Sequence, residues 1–233
     1  MRKVFVLTVV VCLGSMCLST LGWAADKDDA QQRLEKSAKV LQEIIAAPDK
    51  GIPEEVLSKA KCVAVVPHMV KGGFGFGGQH GRGVATCRTQ NGWSAPAFFT
   101  LTGGSFGLQL GVEGVDLVML AMNDQGMQAL LSNKFKIGGD VSAAAGPVGR
   151  HAEAGTDWKL ETPLLTYSRA KGVFAGVTIN GSVIQQDNDA TKAFYGRDLP
   201  AKDLLAGKVP PPPAARDFLN AVARAQTVAR TSK

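Results

Sequence analysis

The feature that most constrains the fold of this chain is a glycine-rich stretch from Val63 to Gly111. Twelve of the 27 glycines in the 233-residue chain lie within it. Each glycine inside a helix costs about 1 kcal/mol relative to alanine, so the stretch cannot be helical. Single apolar residues alternate with glycine, as at Phe74 and Phe76, which is the period of a β-strand. We expect an antiparallel β meander, barrel-like or strongly twisted, with glycine at sharp bends and close backbone contacts.

Helical periodicity precedes and follows this stretch. Between positions 28 and 47 one side is apolar and the other is charged; the two sets are Leu34, Ala38, Leu41, Ile44 and Ile45, and Arg33, Glu35, Lys36, Lys39 and Glu43. Because acids and bases are mixed, we favour docking of this helix on the sheet over attachment to a membrane surface. Further helices are predicted over 53–61, from the cap Asn123 to Leu131, and over 187–195.

The end of the chain has a different character. Pro210–Pro213 predict a stiff polyproline spacer, and Phe218, Val222, Ala225 and Val228 share one side of the helix that follows. This tail helix either packs back on the domain, which we favour, or contacts an anionic surface. The expected fold class is α+β, a glycine-rich meander with helices on one side, flanked by N-terminal and C-terminal helices.

The first residues predict export. Two basic residues precede an uncharged apolar run from Val4 to Leu21, and the small residues Gly22 and Ala24 fit a signal-peptidase site. We expect cleavage after Ala24 and a periplasmic or secreted protein that associates with a membrane. The alternatives are a retained membrane anchor and lipid attachment at Cys17. The expected parts are a signal peptide (1–24), one main domain (25–197, with a helical lead-in over 25–61) and a spacer with a C-terminal helix (198–233).

Charge argues against a nucleic-acid partner. The whole chain has 26 basic and 20 acidic residues, and removal of Arg2 and Lys3 with the signal peptide leaves a formal net charge of +4. This mild excess permits attraction to anionic lipids but lacks the clustered charge of nucleic-acid-binding proteins. Two cysteines remain, Cys62 and Cys87. In an oxidising compartment they could form a disulfide, or they could be buried thiols.

Two motifs associated with enzymes occur in an unsuitable context. Gly73–Gly78 matches G-x-G-x-x-G, but the residues that follow continue as a strand instead of opening a helix. Gly103–Gly107 matches the nucleophile motif G-x-S-x-G around Ser105, again with a strand after it. Since Asp140 and His151 follow in a suitable order, a serine esterase stays as a minor alternative.

Metal and cofactor sites are not indicated. The three histidines, His68, His80 and His151, have no histidine partner at helical spacing and no cysteine pair at zinc spacing. No paired carboxylates stand out. We expect no metal, no cofactor and no enzymatic activity.

Seven blocks occur in the order found in a known family: AVVPHMVKGGFGFGG, GRGV, NGWSAPAF, GGSFGLQLGVEGVDLVML, GPVGR, YSRAKGVFAGVTINGS and FYG. From about Arg33 to Gly196 the chain resembles the SYLF domain, also called the Ysc84 type after an actin-binding yeast member. The resemblance implies binding to phosphoinositide-rich membranes, partly through an amphipathic N-terminal helix, and in some members to actin. The predicted export signal and the absence of SH3 or FYVE modules argue against actin and phosphoinositides as physiological partners here.

The leading hypothesis is therefore an exported, non-enzymatic module that binds anionic phospholipid head groups at the cell envelope. Basic residues that flank the glycine turns would contact the phosphate; they are Lys71, Arg82, Arg88, Lys134, Lys136, Arg150, Arg169 and Lys171. Backbone amides at Gly72–Gly73 and Gly103–Gly104 are predicted to form anion-binding nests in turns. The rival hypothesis is an envelope-assembly protein that binds another protein through a sheet edge or an apolar patch around Trp93, Phe98 and Phe99.

Overall fold

Strands occupy the middle of the chain and helices its two ends. The computed structural model describes residues 26–43, 51–148, 162–170 and 173–231. In chain order the elements are α1 (26–43), α2 (Glu54–Lys59), β1 (Cys62–Thr89), β2 (Gly92–Trp93), β3 (Ala97–Ala121), α3 (Asp124–Leu131), β4 (Lys134–Lys136), β5 (Ala143–Ala145), β6 (Leu164–Ala170), β7 (Val173–Gly176), β8 (Val183–Gln186), α4 (Asn188–Tyr195), α5 (Ala201–Leu205), a 3₁₀ turn (Pro213–Ala215) and α6 (Arg216–Thr231). None of the helices in these segments is long and apolar enough to span a bilayer. The predicted signal peptide lies outside the described residues.

The glycine-rich stretch forms one two-stranded ribbon. β1 and β3 pair antiparallel from Cys62 opposite Ala121 to Ala85 opposite Ala97. The predicted antiparallel pairing is confirmed. The two strands are long, 28 and 25 residues, because glycines and register shifts let each strand bend without ending.

This ribbon folds back so that the two ends of β1 meet. Cys62 and Cys87 are 25 positions apart, which would be about 80 Å along a straight strand. Their Cα atoms are nevertheless 4.0 Å apart, and a disulfide joins them. Beside it, the Arg88 amide donates to the Lys61 carbonyl at 2.7 Å. The register shifts, at 66–69 and 73–75, supply the bends.

Glycine permits the close contact between the two halves of β1. A Cβ on Gly83 would lie 2.4 Å from the Phe99 ring and 2.8 Å from the Val65 carbonyl oxygen. A Cβ on Gly81 would lie 2.4 Å from Val66 Cγ1. All three distances are below van der Waals contact, so side chains are excluded here by packing.

The other strands extend the ribbon into an eight-stranded, strongly curled half-barrel. β6 pairs with the second half of β3 and β8 with its first half; β5 and β7 flank β6, and β4 flanks β8. The α+β class with flanking helices is confirmed. Asn-Gly pairs are typical of hairpin turns, and Gly181 does turn the chain with φ +86°. The strands on either side, β7 and β8, pair with β6 and β3 instead of each other, so this turn does not form a hairpin.

Helices cover both faces of the sheet. Val63 and Val65 of β1 pack in a cluster with α1, α2, α4 and α6, whereas Ala64 and Val66 pack in a second cluster with α3 and α5. The expectation of helices on one side is therefore wrong. The continuous apolar run of these four residues is the pattern of a strand buried on both faces.

The two end helices dock through the sides that their periodicity predicts. Leu34 and Leu41 of α1 and Phe218 and Val222 of α6 are all at most 1% exposed and share one cluster. Ile44, Ile45 and the side chain of Val228 lie outside the described residues. The side-chain amide of Gln226 donates to the Leu57 carbonyl at 2.9 Å. The tail helix is thus part of the domain core and not a detached appendage.

Candidate functional site

The structure does not gather the predicted head-group residues into one site. Arg150 and Lys171 lie outside the described residues, and most of the other six already have protein partners. Arg82 forms an ion pair with Asp29, and Arg169 forms ion pairs with Asp116 and Glu43. Arg88 donates a hydrogen bond to Gln226 and lies over the Trp93 ring. Lys71 lies opposite Glu113 in the ribbon, and Lys134 and Lys136 are exposed on β4. Of these residues, Arg82 lines a groove beside α1.

Arg82 belongs to an ion-pair network that holds α1 against the sheet. The Arg33 side chain is 4% exposed; its Nη1 donates to Asp187 Oδ2 at 2.9 Å and its Nη2 to Asp29 Oδ2 at 3.0 Å. Arg82 Nη1 lies 3.0 Å from the same Asp29 oxygen, and its Nε lies 3.7 Å from Asp187 Oδ2. Arg33 lies on the charged side of α1, as its periodicity indicates, yet it is buried because these carboxylates and the Phe98 ring surround it.

Asp187 performs two roles in this network. Its Oδ2 accepts from Arg33, and its Oδ1 accepts from the Ala190 amide at 3.0 Å, which caps α4. Cap residues accept the unpaired amides at the start of a helix. One buried carboxylate therefore fixes α4 and α1 together.

A groove of about 230 Å³ opens beside the network. Its walls include Lys36 of α1, and His68, His80 and Arg82 of β1. Lys36, His68 and His80 are exposed, and the Arg82 side chain is 47% exposed. Val70, an apolar residue with 39% exposure, also lines the groove. These side chains are open to a ligand from solvent.

His68 is placed by the first register shift of the ribbon. Its backbone adopts φ +54°, an uncommon value for a residue other than glycine. Its amide donates to Asp116 Oδ1 at 2.9 Å, and a Cβ on Gly114 would lie 2.4 Å from its ring. The other oxygen of Asp116 lies 3.1 Å from Arg169 Nε. Arg169 thus braces the groove wall through Asp116.

The electrostatics of the groove favour a small anion. Arg33, Lys36 and Arg82 supply three positive charges against Asp29 and the adjoining Asp187. Guanidinium and ammonium groups donate strong, charge-assisted hydrogen bonds to phosphate oxygens. Elsewhere on the ribbon, burial lowers the pKa of Lys71, and Glu113 opposes that shift.

The predicted backbone nests do not match the structure. Gly72 and Gly73 lie in β1, and Gly103 and Gly104 lie in β3; all four pair across the ribbon. None of them has a positive φ, which a nest of alternating hand requires. The prediction that they lie in turns is wrong, because the ribbon continues through both positions.

The enzyme-like motifs also lie within the ribbon. Ser105 pairs with Gly77 inside continuous strands, so the strand–turn–helix geometry of a nucleophile elbow does not occur there. The Asp140 carboxylate accepts from the Lys136 amide at 2.7 Å, and His151 lies outside the described residues. Within the described segments, no group of three or more acidic, histidine or cysteine residues could hold a metal ion.

The expected apolar patch is not present. Phe98 and Phe99 are 0% and 5% exposed and belong to the two core clusters. Trp93 is half-buried, is the second residue of β2, and has the Arg88 guanidinium 5.3 Å from its ring. It lines a second, larger groove of about 890 Å³, whose other side is formed by Val209, Pro210 and neighbouring residues.

Comparison with known proteins identifies the family. Residues 102–225 match the sequence model of the family described as Ysc84, Las17-binding protein actin regulator. The chain belongs to the Ysc84 family. It is 36% identical over 193 residues to protein YSC84 of Saccharomyces cerevisiae, a match that covers 79% of this chain and 41% of that protein.

Two further relatives in the Ysc84 family have a similar sequence identity to this chain. LAS seventeen-binding protein 3 of the same yeast is 36% identical over 188 residues, covering 77% of this chain and 41% of that protein. SH3 domain-containing YSC84-like protein 1 of Homo sapiens is 33% identical over 190 residues, covering 78% and 55%. The chain spans about half the length, or less, of these relatives. The resemblance seen in the sequence is confirmed, and the family is described as a binding and regulatory module, not as an enzyme class.

Several residues of the groove beside α1 and of its ion-pair network are not among the binding residues predicted from the sequence. Arg33 follows Asp29 by four positions, a spacing that brings opposite charges together on a helix, and this signal could have suggested the pair. Asp187 carries the signature of an N-cap, but its contact with Arg33 spans 154 positions. That contact and the approach of His68 and His80 depend on how the ribbon folds back, which no local pattern encodes.

Proposed function

We propose that this Ysc84-family chain is an exported, non-enzymatic module that binds anionic phospholipid head groups at the cell envelope. The observation that supports the proposal is the groove at α1, where Lys36 and Arg82 meet two imidazoles in a space of about 230 Å³. The phosphate would accept from Lys36 and Arg82. The exposed Val70 would contact the lipid beside its head group.

The firm attachment of α1 supports a preformed site. Arg33 and Asp187 are both buried, so the helix that carries Lys36 is fixed before any ligand arrives. A site that needs no reorganisation loses less free energy on binding than one that must be ordered. Among the residues that the structure describes, the Lys36 ammonium donates one hydrogen bond, to Gln32 at 3.4 Å, and it can turn toward a ligand at little cost.

Vesicle flotation tests the proposal. The mature chain is mixed with vesicles of phosphatidylcholine alone or with phosphatidylglycerol, at low and at physiological salt. We expect recruitment by the anionic vesicles that weakens as salt screens the charges. Lys36→Gln should lower the affinity about fivefold, because one basic residue near an anionic surface contributes about 1 kcal/mol.

Lys39→Gln is the matched control. Lys39 lies on the same helix and is also exposed, but it lines a different groove, between α1 and α6. It should bind like the parent. Equal losses for the two variants would assign binding to the charge of α1 as a whole and reject the groove. Equal recruitment by neutral and anionic vesicles would reject lipid head-group binding.

Protein binding is the second candidate, and the family description favours it. The family is described as a Las17-binding actin regulator, and one yeast relative is named LAS seventeen-binding protein 3. Because we propose export, the chain would not meet actin filaments in the cell, and we do not propose actin as its partner. A partner in the envelope would instead use the large groove at Trp93.

A further inference from the structure

We propose that Pro210–Pro213 is a preformed polyproline II ligand, recognised by a protein domain with an aromatic-lined and acidic groove. The inference is independent of lipid binding, because the segment lies at the Trp93 groove and not at the Lys36 groove. Its basis is the conformation, exposure and anchoring of the four prolines.

The conformation follows from the sequence. Each proline ring fixes φ near −65° and disfavours the helical region for the residue before it. Positions 209–212 all precede a proline, so these residues are driven to polyproline II, and Pro213 begins the 3₁₀ turn that follows. Pro212 shows the result, with φ −71° and ψ 154°. Such a helix has three residues per turn and about 3.1 Å rise per residue.

The exposed side of this helix is a P-x-x-P ridge. With three residues per turn, Pro210 and Pro213 lie along the same edge. Both are exposed, as is Pro211, whereas Pro212 is half-buried. The segment therefore turns one edge to the body of the protein and offers the edge of Pro210 and Pro213 to solvent.

Both ends of the ridge are anchored in the core. Leu204 and Leu205 precede it with 0% and 1% exposure, and Ala215 and Phe218 follow it with 0% and 1%. Gly207 ends α5 with φ +76°, and a Cβ there would lie 2.8 Å from Thr89 Cγ2. The segment is thus held against the β1–β2 turn and is not a free linker. Little entropy remains to be lost when a partner binds.

Charge and shape indicate the kind of partner. The exposed basic residues Lys208 and Arg216 flank the ridge. Lys208 forms one exposed contact, with Asp203 at 2.7 Å, which is weak in solvent. Domains that read polyproline use stacked aromatic rings for the prolines, and acidic residues beside those rings would pair with these cations. Trp93 across the groove gives such a domain a second surface to contact.

Titration calorimetry with the intact mature chain tests the proposal. The probes are one SH3, one WW and one EVH1 domain, the three classes of polyproline reader. At least one should bind with a measurable affinity below 1 mM, and a peptide of residues 208–216 should compete. The double variant Pro210→Ala/Pro213→Ala should weaken that binding about tenfold or more, as expected when anchoring contacts are lost.

Pro212→Ala is the matched control, because it removes a proline from the edge that faces the protein. It should leave the affinity within about twofold of the parent, while urea unfolding verifies that every variant is folded. The absence of binding by all three domains at 1 mM would overturn the proposal. Binding that is unaffected by the double variant, or lost equally in Pro212→Ala, would overturn it as well.

Discussion

Replacing Asp187 with asparagine tests whether a buried ion pair, and not the helix cap alone, fastens α1 to the sheet. Asparagine caps a helix about as well as aspartate, so the contact with the Ala190 amide can persist. What the substitution removes is the negative charge that faces Arg33 at 2.9 Å.

The expected loss in the free energy of unfolding follows from the burial of the two side chains. The side chains of Arg33 and Asp187 are 4% and 9% exposed, and breaking a buried pair while leaving one charge in place costs about 3–5 kcal/mol. Arg33 keeps its contact with Asp29, so we expect the lower end, a loss of about 3 kcal/mol in the free energy of unfolding. Asp29→Asn should cost no more than about 1 kcal/mol, since that carboxylate is 46% exposed and its interactions are screened.

Urea unfolding followed by circular dichroism measures both values. A lower midpoint with an unchanged slope would show a loss of stability without a change in the surface exposed on unfolding. The reasoning is refuted if Asp187→Asn lies within about 0.5 kcal/mol of the parent, or if Asp29→Asn is equally damaging. The first result would mean that the cap and the apolar contacts of α1 suffice. The second would mean that solvent does not screen the outer carboxylate.

Three other predictions concern the core. Cys62→Ala/Cys87→Ala should lower the free energy of unfolding by about 3.5 kcal/mol, the chain-entropy value for a 25-residue separation; an unchanged urea midpoint would contradict this. Tyr167→Phe should raise stability by about 1 kcal/mol, because its buried hydroxyl has no hydrogen-bond partner in the described structure, whereas Tyr195→Phe should lower it by about 1 kcal/mol, because its hydroxyl donates to a carbonyl. Burial raises the pKa of both phenols, because the folded protein disfavours the phenolate. The free energy of unfolding should therefore be constant below about pH 10 and fall as the pH rises further, where the phenols of the unfolded chain ionise. A urea midpoint unchanged from pH 9 to 11 would contradict this. Gly83→Ala should cost about 1–3 kcal/mol because its Cβ would lie 2.4 Å from a phenylalanine ring, and a stable alanine variant, measured in the same way, would show that the ring moves aside.

Local chemistry made the elements predictable. The cap at Asn123 accepts from the Gly126 amide at 3.1 Å, and the apolar sides of α1 and α6 are buried where the three-and-four spacing indicates. Strand period and glycine content gave the antiparallel ribbon. They did not give its continuity, because glycine signals a possible bend but not whether the strand ends there. The result is a β1 strand of 28 residues.

The site was less predictable because its parts are distant in sequence. Arg82 could be named from its position beside glycine, but its partners Asp29 and Asp187 come from helices on either side of the sheet-forming segment. A charge that looks solvated along the helix, Arg33, becomes buried only when α4 supplies a second carboxylate. Periodicity reports the average environment of a helix face and does not detect a single long-range pair.

The role of glycine in this fold also limits how an anion can be bound. At Gly83 and Gly114 the missing side chain makes room for Phe99 and for the His68 ring, so packing accounts for glycine at these positions. The antiparallel ladder contains Gly72, Gly73, Gly103 and Gly104, and none of them has a positive φ. Because only alternate residues of an antiparallel pair direct their amides to the same side, these amides do not converge on one anion as the amides of a nest do. Recognition of a head group must then come from side-chain cations. Affinity carried by side-chain charges at an exposed groove falls as salt is added, so a binding reaction indifferent to ionic strength would have to involve a different surface of the protein.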